Sequence, residues 1–260
     1  MLAERLSREP ENDVYVVAPD RERSATGHSL TLHKPLRTEL IEMPGKVKSA
    51  WSTTGTPSDC VKLAITELLP TKPDMVISGI NNGPNLGSEI LYSGTVAAAM
   101  EGAFLGIPSV AVSLQWGEQR HFDVAAEVLA RLVKVFPKAH LESRSLLNVN
   151  IPNVPLAEIA GVRLTEVGVR GYEDYFEKRT DPRGRIYYWL AGTAIEEGEA
   201  ETTDAWAILN KFVSITPVAF NFTDHAALKK LEGVSDFARI LAPTNPVVSP
   251  ATDQRGAGKQ

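Results

Sequence analysis

The chain has a single cysteine, Cys60. That excludes an intramolecular disulfide and fits a reducing compartment, so the expected location is cytoplasmic. In its apolar helical context Cys60 reads as a small core residue rather than a nucleophile. No apolar run approaches the ~18 residues of a membrane-spanning helix, so no membrane partner is expected. The opening segment, MLAERLSREPEND, is charged and lacks the apolar stretch of a signal peptide. Positive charge is also scarce. The net charge is −5, which argues against a broad basic face for a nucleic-acid duplex; a local phosphate cradle needs no such face. Neither a Walker Gly-Lys-Ser/Thr nor a G-x-G-x-x-G follows the Gly-rich loop described below, and no Gly-rich fingerprint follows Val14–Ala18. This argues against a P-loop enzyme and a dinucleotide-dependent oxidoreductase. No Ser-His-Asp or Cys-His arrangement is legible, so a covalent intermediate is not expected.

What is present is organised around one stretch, VISGINNGPNLGSEILYSGTVAAAMEG, from Val76 to Gly102. Met75-Val76-Ile77 reads as the end of a buried strand. A loop rich in Gly and Asn follows, from Ser78 to Gly87, where glycine permits positive φ and close backbone approach to a ligand. Then Ser93-Gly94-Thr95 opens a helix whose face carries Val96, Ala99, Met100 and Ala103. A strand, a Gly/Asn loop and a hydroxyl-bearing helix start make an anion site, because free N–H groups and the positive helix end both favour phosphate.

Elsewhere, strands alternate with helices. Val14–Ala18 is a strand, and Arg21, Arg23, Ser24 and Thr26 follow it. In open α/β sheets that carboxyl end is where ligands bind. Arg21 and Arg23 suit phosphate, and Ser24 suits a metal or a phosphate oxygen; His28 reads as structural. Leu30–Leu40 and Val47–Thr53 form a short strand pair. Thr56, Pro57 and Asp59 start a helix as N-cap, first helical residue and dipole complement. Gly106 caps the helix that begins near Gly94, Ser109–Leu114 is a strand, Phe122–Phe136 a helix and Leu146–Ile151 a strand. The pattern predicts an α/β, Rossmann-like, doubly wound and mostly parallel sheet. Beyond Pro155, Tyr175–Phe176 and Ile186–Leu190 flank the turn Asp181-Pro182-Arg183-Gly184, which predicts an aromatic β-hairpin at about 172–192. A lone hairpin is marginal in water, so it is expected to pack on another subunit. The last strand is Phe212–Val218, Thr223 caps a short helix, and 243–260 is expected to be disordered. The expected organisation is a core over 1–155 and a C-terminal part over 156–232.

Several of these pieces together resemble the SurE (survival protein E) family: VVAPDRERSATGHSLTL, TTGTPSDCVKLA, SGINNGPNLG, YSGTVAAAMEG, IPSVAVSL, LNVNIP and FVSITP, in family order. The resemblance implies a metal-dependent 5′-nucleotidase. Such an enzyme hydrolyses nucleoside 5′-monophosphates with one divalent cation (Mg²⁺ or Mn²⁺), on a Rossmann-like core with an oligomerising hairpin, as a homodimer or homotetramer. It implies Ser24 and Asn81 as metal ligands, and Asn85, Ser93, Gly94 and Thr95 as the phosphate-facing residues. The family pattern opens with a strand ending in Asn-Asp-Asp-Gly, whose acidic pair ligates the metal. This chain contains no adjacent Asp-Asp. The expectation is that this strand and its ligands are missing, with the catalytic residues unassigned. A non-catalytic nucleotide-binding subunit is the alternative function.

Overall fold

The structure is a computed structural model. It describes residues 1–136, 144–168, 172–194 and 200–234; the side chains of 172–174 and 193–194 are not described. The expected tail at 243–260 lies outside the described residues. Met1–Ala219 forms one compact unit and Phe220–Gln260 a second.

The first unit is an α/β, Rossmann-like fold. Its larger sheet contains β4 (Val76–Asn82), β5 (Ser109–Leu114), β6 (Ser145–Ile151), β7 (Gly161–Leu164) and β10 (Phe212–Ala219), in the spatial order β4-β5-β6-β10-β7. β4, β5 and β6 run parallel, β10 is antiparallel to β6, and β7 is parallel to β10. All six residues of β5 are buried, as suits a parallel strand covered on both faces. Val110, Val112 and Leu114 pack with Ala125 and Leu129 of α4 (Phe122–Val135). α3 (Gly94–Phe104) packs on β4 and β5. In α4 the buried residues Val124, Ala125 and Leu129 recur at helical spacing.

A smaller sheet contains β1 (Tyr15–Pro19), β2 (Thr38–Leu40) and β3 (Ser49–Thr53), in the order β1-β3-β2. β1 is parallel to β3, and β2 is antiparallel to it. The expected single sheet is thus in two pieces among the described residues. β1 is laddered only to β3 and β4 only to β5, so each keeps one edge outside any ladder. Of the predicted stretch Leu30–Leu40, only Thr38–Leu40 is extended enough to pair. α1 (Leu2–Leu6) packs on α4.

α2 (Pro57–Leu63) starts as expected. Thr56 accepts from the Asp59 N–H at 3.1 Å, and Asp59 accepts from the Thr56 N–H at 2.8 Å. This reciprocal capping box satisfies two otherwise orphan donors. A π-helical turn, Ala64–Leu68, continues α2. Cys60 is 2% exposed, and burial pushes its thiol up to about 12, so it is an inert core residue. β4 runs further than its sequence suggests, past Gly79 to Asn82, with a register shift between Ser78 and Asn81. Gly79 makes this possible: its φ is +124°, and a Cβ there would lie 2.3 Å from the Val112 carbonyl oxygen.

β8 (Tyr172–Thr180) and β9 (Ile186–Ala194) form the predicted hairpin and, among the described residues, pair only with each other. α5 (Asp204–Leu209) precedes β10. In the second unit, α6 (His225–Glu232) is capped by Asp224, whose Oδ1 accepts from the Ala227 N–H at 2.8 Å. The cap therefore falls one residue beyond the expected Thr223, since the carboxylate is the one that reaches the third helical N–H.

Candidate functional site

Two loops meet at the start of α3. Ser93 caps the helix and accepts from the Val96 N–H at 3.1 Å, and the Ala97 N–H bonds to the Ser93 carbonyl at 2.9 Å. Among the described residues no hydrogen bond takes up the N–H groups of Gly94 or Thr95. Two donors at the positive end of a helix are an anion site in the making. The loop after β1 closes on them. The Gly27 N–H donates to the Tyr92 carbonyl at 3.0 Å, and Thr26 Oγ1 donates to the Arg23 carbonyl at 3.0 Å. The fit at Gly94 is tight: a Cβ there would lie 3.1 Å from Pro57 Cγ, 3.2 Å from Thr26 Oγ1 and 3.3 Å from the Arg23 carbonyl oxygen. The structure therefore sets the Arg23 backbone against Gly94, between Ser93 and Thr95, across some seventy positions of sequence.

Arg23 is pinned by its Nη2, which donates to the Thr54 carbonyl at 2.8 Å and lies 3.3 Å from Asp20 Oδ1; its buried Nε has no partner among the described residues. Arg21 is a surface side chain 3.8 Å from Asp20. Ser24 is exposed and donates to Glu22 Oε1 at 2.6 Å. Asn81 lies inside β4 rather than in a loop, and its Nδ2 donates to the Gly83 carbonyl at 2.9 Å. That orientation leaves its Oδ1 as the atom able to meet a ligand. Among the described residues no hydrogen bond joins Ser24 to Asn81.

Asn85 has a heavier structural role than its sequence suggests. It is 7% exposed. Its N–H donates to Asn150 Oδ1 at 2.8 Å and its Nδ2 to Ser113 Oγ at 2.6 Å, while its carbonyl accepts from Asn148 Nδ2 at 2.9 Å and Asn150 Nδ2 at 3.0 Å. Asn148 and Asn150 are two apart on β6, so they share a face of the sheet. They anchor the Gly/Asn loop. The sequence held a signal for them, since LNVNIP places two amides at same-face positions in an apolar strand. Behind the site Glu101, 4% exposed, accepts from Lys62 Nζ and meets His28 Nε2, each at 2.8 Å. Burial pushes the Glu101 carboxyl up, but the bonds from Lys62 and His28 outweigh it and hold the group below the ordinary glutamate range. His28 is also stacked on Phe104. It ties the loop that carries Arg23 and Ser24 to α3.

The metal expectation meets a plain obstacle. Ser24 and Asn81 offer one hydroxyl and one amide oxygen, both neutral. Among the described residues no group of three or more His, Cys, Asp or Glu is placed to hold a metal. A hard divalent cation takes six or more oxygens, with carboxylates supplying the charge. These two oxygens alone do not fit such an ion.

The profile described as survival protein SurE matches residues 1–174. The chain belongs to the SurE family. It is 51% identical to the 5′-nucleotidase SurE of Synechococcus elongatus over 242 residues, 90% of this chain and 93% of that protein. It is 47% identical to the 5′-nucleotidase SurE of Pelotomaculum thermopropionicum over 238 residues, 91% and 90% of the two chains. The crystal structure of a SurE protein from Aquifex aeolicus superimposes with a TM-score of 0.76 at 42% identity, covering 88% of this chain and 92% of that one.

Proposed function

We propose that this SurE protein is a 5′-nucleotidase, a hydrolase that cleaves nucleoside 5′-monophosphates to nucleoside and phosphate. Its relatives of about half identity carry that name over nine-tenths of the chain. The observation that carries the site is the start of α3, where the Gly94 and Thr95 N–H groups lie beside the Arg23 loop. The phosphate monoester sits there. Two backbone donors, the Thr95 hydroxyl and the Arg23 charge hold its oxygens and stabilise charge that develops as the phosphorus–oxygen bond breaks. Ser93 orients the helix end, and Asn85 fixes the preceding loop. Dependence on one divalent cation, Mg²⁺ or Mn²⁺, is part of this reading; Ser24 and Asn81 would supply two neutral oxygens, too few to hold it alone, and the other ligands are unassigned. Residues 1–155 hold the site, and 156–232 carry the hairpin through which the chain forms a homodimer or homotetramer. No described helix is long and apolar enough to cross a membrane; a cytoplasmic location remains part of the proposal.

The test is phosphate release from a panel of nucleoside 5′-monophosphates, with Mg²⁺, Mn²⁺ or chelator. Gly94→Ala presses on three neighbours at once and is expected to raise KM about tenfold or more, the scale of a lost charge-assisted hydrogen bond. A folded protein that releases no phosphate from any of these substrates removes the enzyme reading. Retained nucleotide binding in that protein would favour the non-catalytic subunit.

A further inference from the structure

Asp204, at the first position of α5, is completely buried, and no step of the proposed reaction uses it. Its Oδ2 accepts from the Gly87 N–H at 3.0 Å, and its Oδ1 accepts from the Gly168 N–H at 3.0 Å and the Ala205 N–H at 2.8 Å. Gly87 belongs to the Gly/Asn loop, 117 residues away in sequence. Gly168 lies four residues before β8 and so at the base of the hairpin. Apolar contact reinforces the first bond, since Leu86, Ala205 and Ile208 form a buried cluster of their own. The backbone of the same residue is fixed too: the Asp204 N–H donates to the Glu166 carbonyl at 2.9 Å.

A buried carboxylate is an expensive group to retain unless donors satisfy it, and here the donors come from three separate segments. The Gly/Asn loop is gripped at Asn85 from β6 and at Gly87 from α5. Neither grip is local, so the loop's shape is set by the C-terminal half of the chain. We propose that Asp204 is a positioning residue for the Gly/Asn loop, which leads into the start of α3, and that it shares its carboxylate between that loop and the base of the hairpin. That this loop shapes a phosphate site rests on the nucleotidase reading; the hold on Gly87 does not. Because one carboxylate serves both segments, a shift at the hairpin base changes the acceptor that Gly87 sees.

Asp204→Asn tests this, because it keeps the shape and one acceptor oxygen while turning an amide group toward one of the backbone donors. Trp206→Ala is the control. Trp206 is on the same helix, its ring stacks on Phe212 and Arg163, and it takes no part in the bonds to Gly87 and Gly168. Three quantities are read on the full chain: thermal midpoint, amide exchange at Gly87 and Gly168, and KM against kcat for a nucleoside 5′-monophosphate. Asp204→Asn is expected to speed exchange at both glycines by roughly tenfold and to raise KM by a similar factor, with kcat less affected, the scale of one hydrogen bond to a charged group. Trp206→Ala is expected to lower the thermal midpoint while leaving exchange at Gly87 and KM near wild type. Unchanged exchange at Gly87 in Asp204→Asn overturns the proposal. So does a KM change in Trp206→Ala equal to that in Asp204→Asn, which would make the effect one of general stability. Exchange is read without any ligand, so a protein that turns over no nucleotide refutes the nucleotidase reading and still leaves the hold on Gly87 decided.

Discussion

Glu101 shows what a single buried charge does in this molecule. Its carboxylate is held by Lys62 from α2 and His28 from the loop after β1, and its titration is held below the ordinary range despite burial. A group whose folded value is depressed stabilises the fold above its unfolded value of about 4.3. That contribution is lost as pH falls through the lower, folded value. Removing Lys62 leaves the carboxylate with His28 alone. Lys62→Met is expected to cost about 1–3 kcal/mol at neutral pH, the range for under-satisfying a buried charged group. The loss should shrink as acid protonates Glu101 in the variant, and denaturant titrations at pH 7 and pH 4 check both statements; equal stability of wild type and variant at pH 7 would refute the first. At this scale the sequence is legible where partners are close. The Thr56–Pro57–Asp59 helix start could be read directly because three residues of spacing contain its whole geometry. The contacts of Glu101 with His28, 73 residues away, and of Asp204 with Gly87 could not. Nothing local distinguishes those carboxylates from surface ones. Asn85 is the intermediate case: its loop signalled function, but the three side chains that hold it lie on β5 and β6.

Elements are legible when their period is clean. β5, α4 and the turn of the hairpin follow their patterns, and β4 overruns its own because tertiary pairing to β5 recruits Asn81 and Asn82 past Gly79. The hairpin's pattern also explains its consequence. In its register Phe176 faces Leu190 and Lys178 faces Tyr188 on one side, while Glu177 faces Trp189 and Arg179 faces Tyr187 on the other. Phe176, Tyr188, Trp189 and Leu190 are all more than half exposed. Both faces thus carry large apolar groups, and neither strand has a second ladder partner among the described residues. Such a patch is a contact surface in search of a partner. The proposed partner is a second copy of this chain. Phe176→Glu with Leu190→Lys places charge on one face, and Tyr187→Glu with Trp189→Lys on the other. At least one pair is expected to shift the sedimentation coefficient to a smaller species, with the dissociation constant raised by roughly a thousandfold if two hot-spot side chains of about 2 kcal/mol each are lost. An unchanged coefficient in both would exclude the hairpin as the contact.

Across the whole of the first unit, the two sheets differ in how deeply they are built in. Every residue of β5 is buried, and so is all of β6 except Ser145. All five residues of β1 are only half-buried, and all three of β2 are exposed. The alternation of strands and helices foretold the α/β class, but not this asymmetry, because local pattern does not say which edges find a ladder. Local opening follows burial and contact density. The amides of Val110, Val112 and Val149 are therefore expected to exchange only through global unfolding, and those of Val16 and Ala18 through a smaller opening of the β1–β3–β2 sheet. A difference of at least about 1.4 kcal/mol, tenfold in protection, is expected. The asymmetry bears on the site, since the loop with Arg23 and Ser24 hangs from β1 while Ser93, Gly94 and Thr95 belong to the helix packed on β4 and β5. The expected opening of the β1–β3–β2 sheet would move the Arg23 half of the proposed phosphate cradle relative to the α3 half. A ligand that bridges the two must bind the closed form and suppress the opening by mass action. Saturating inorganic phosphate is therefore expected to slow exchange at Val16 and Ala18 and to leave Val110 and Val149 closer to their unliganded rates. If β1 is as protected as β5 without ligand, the two sheets open as one. If phosphate binds and slows neither, the loop after β1 is not part of the cradle.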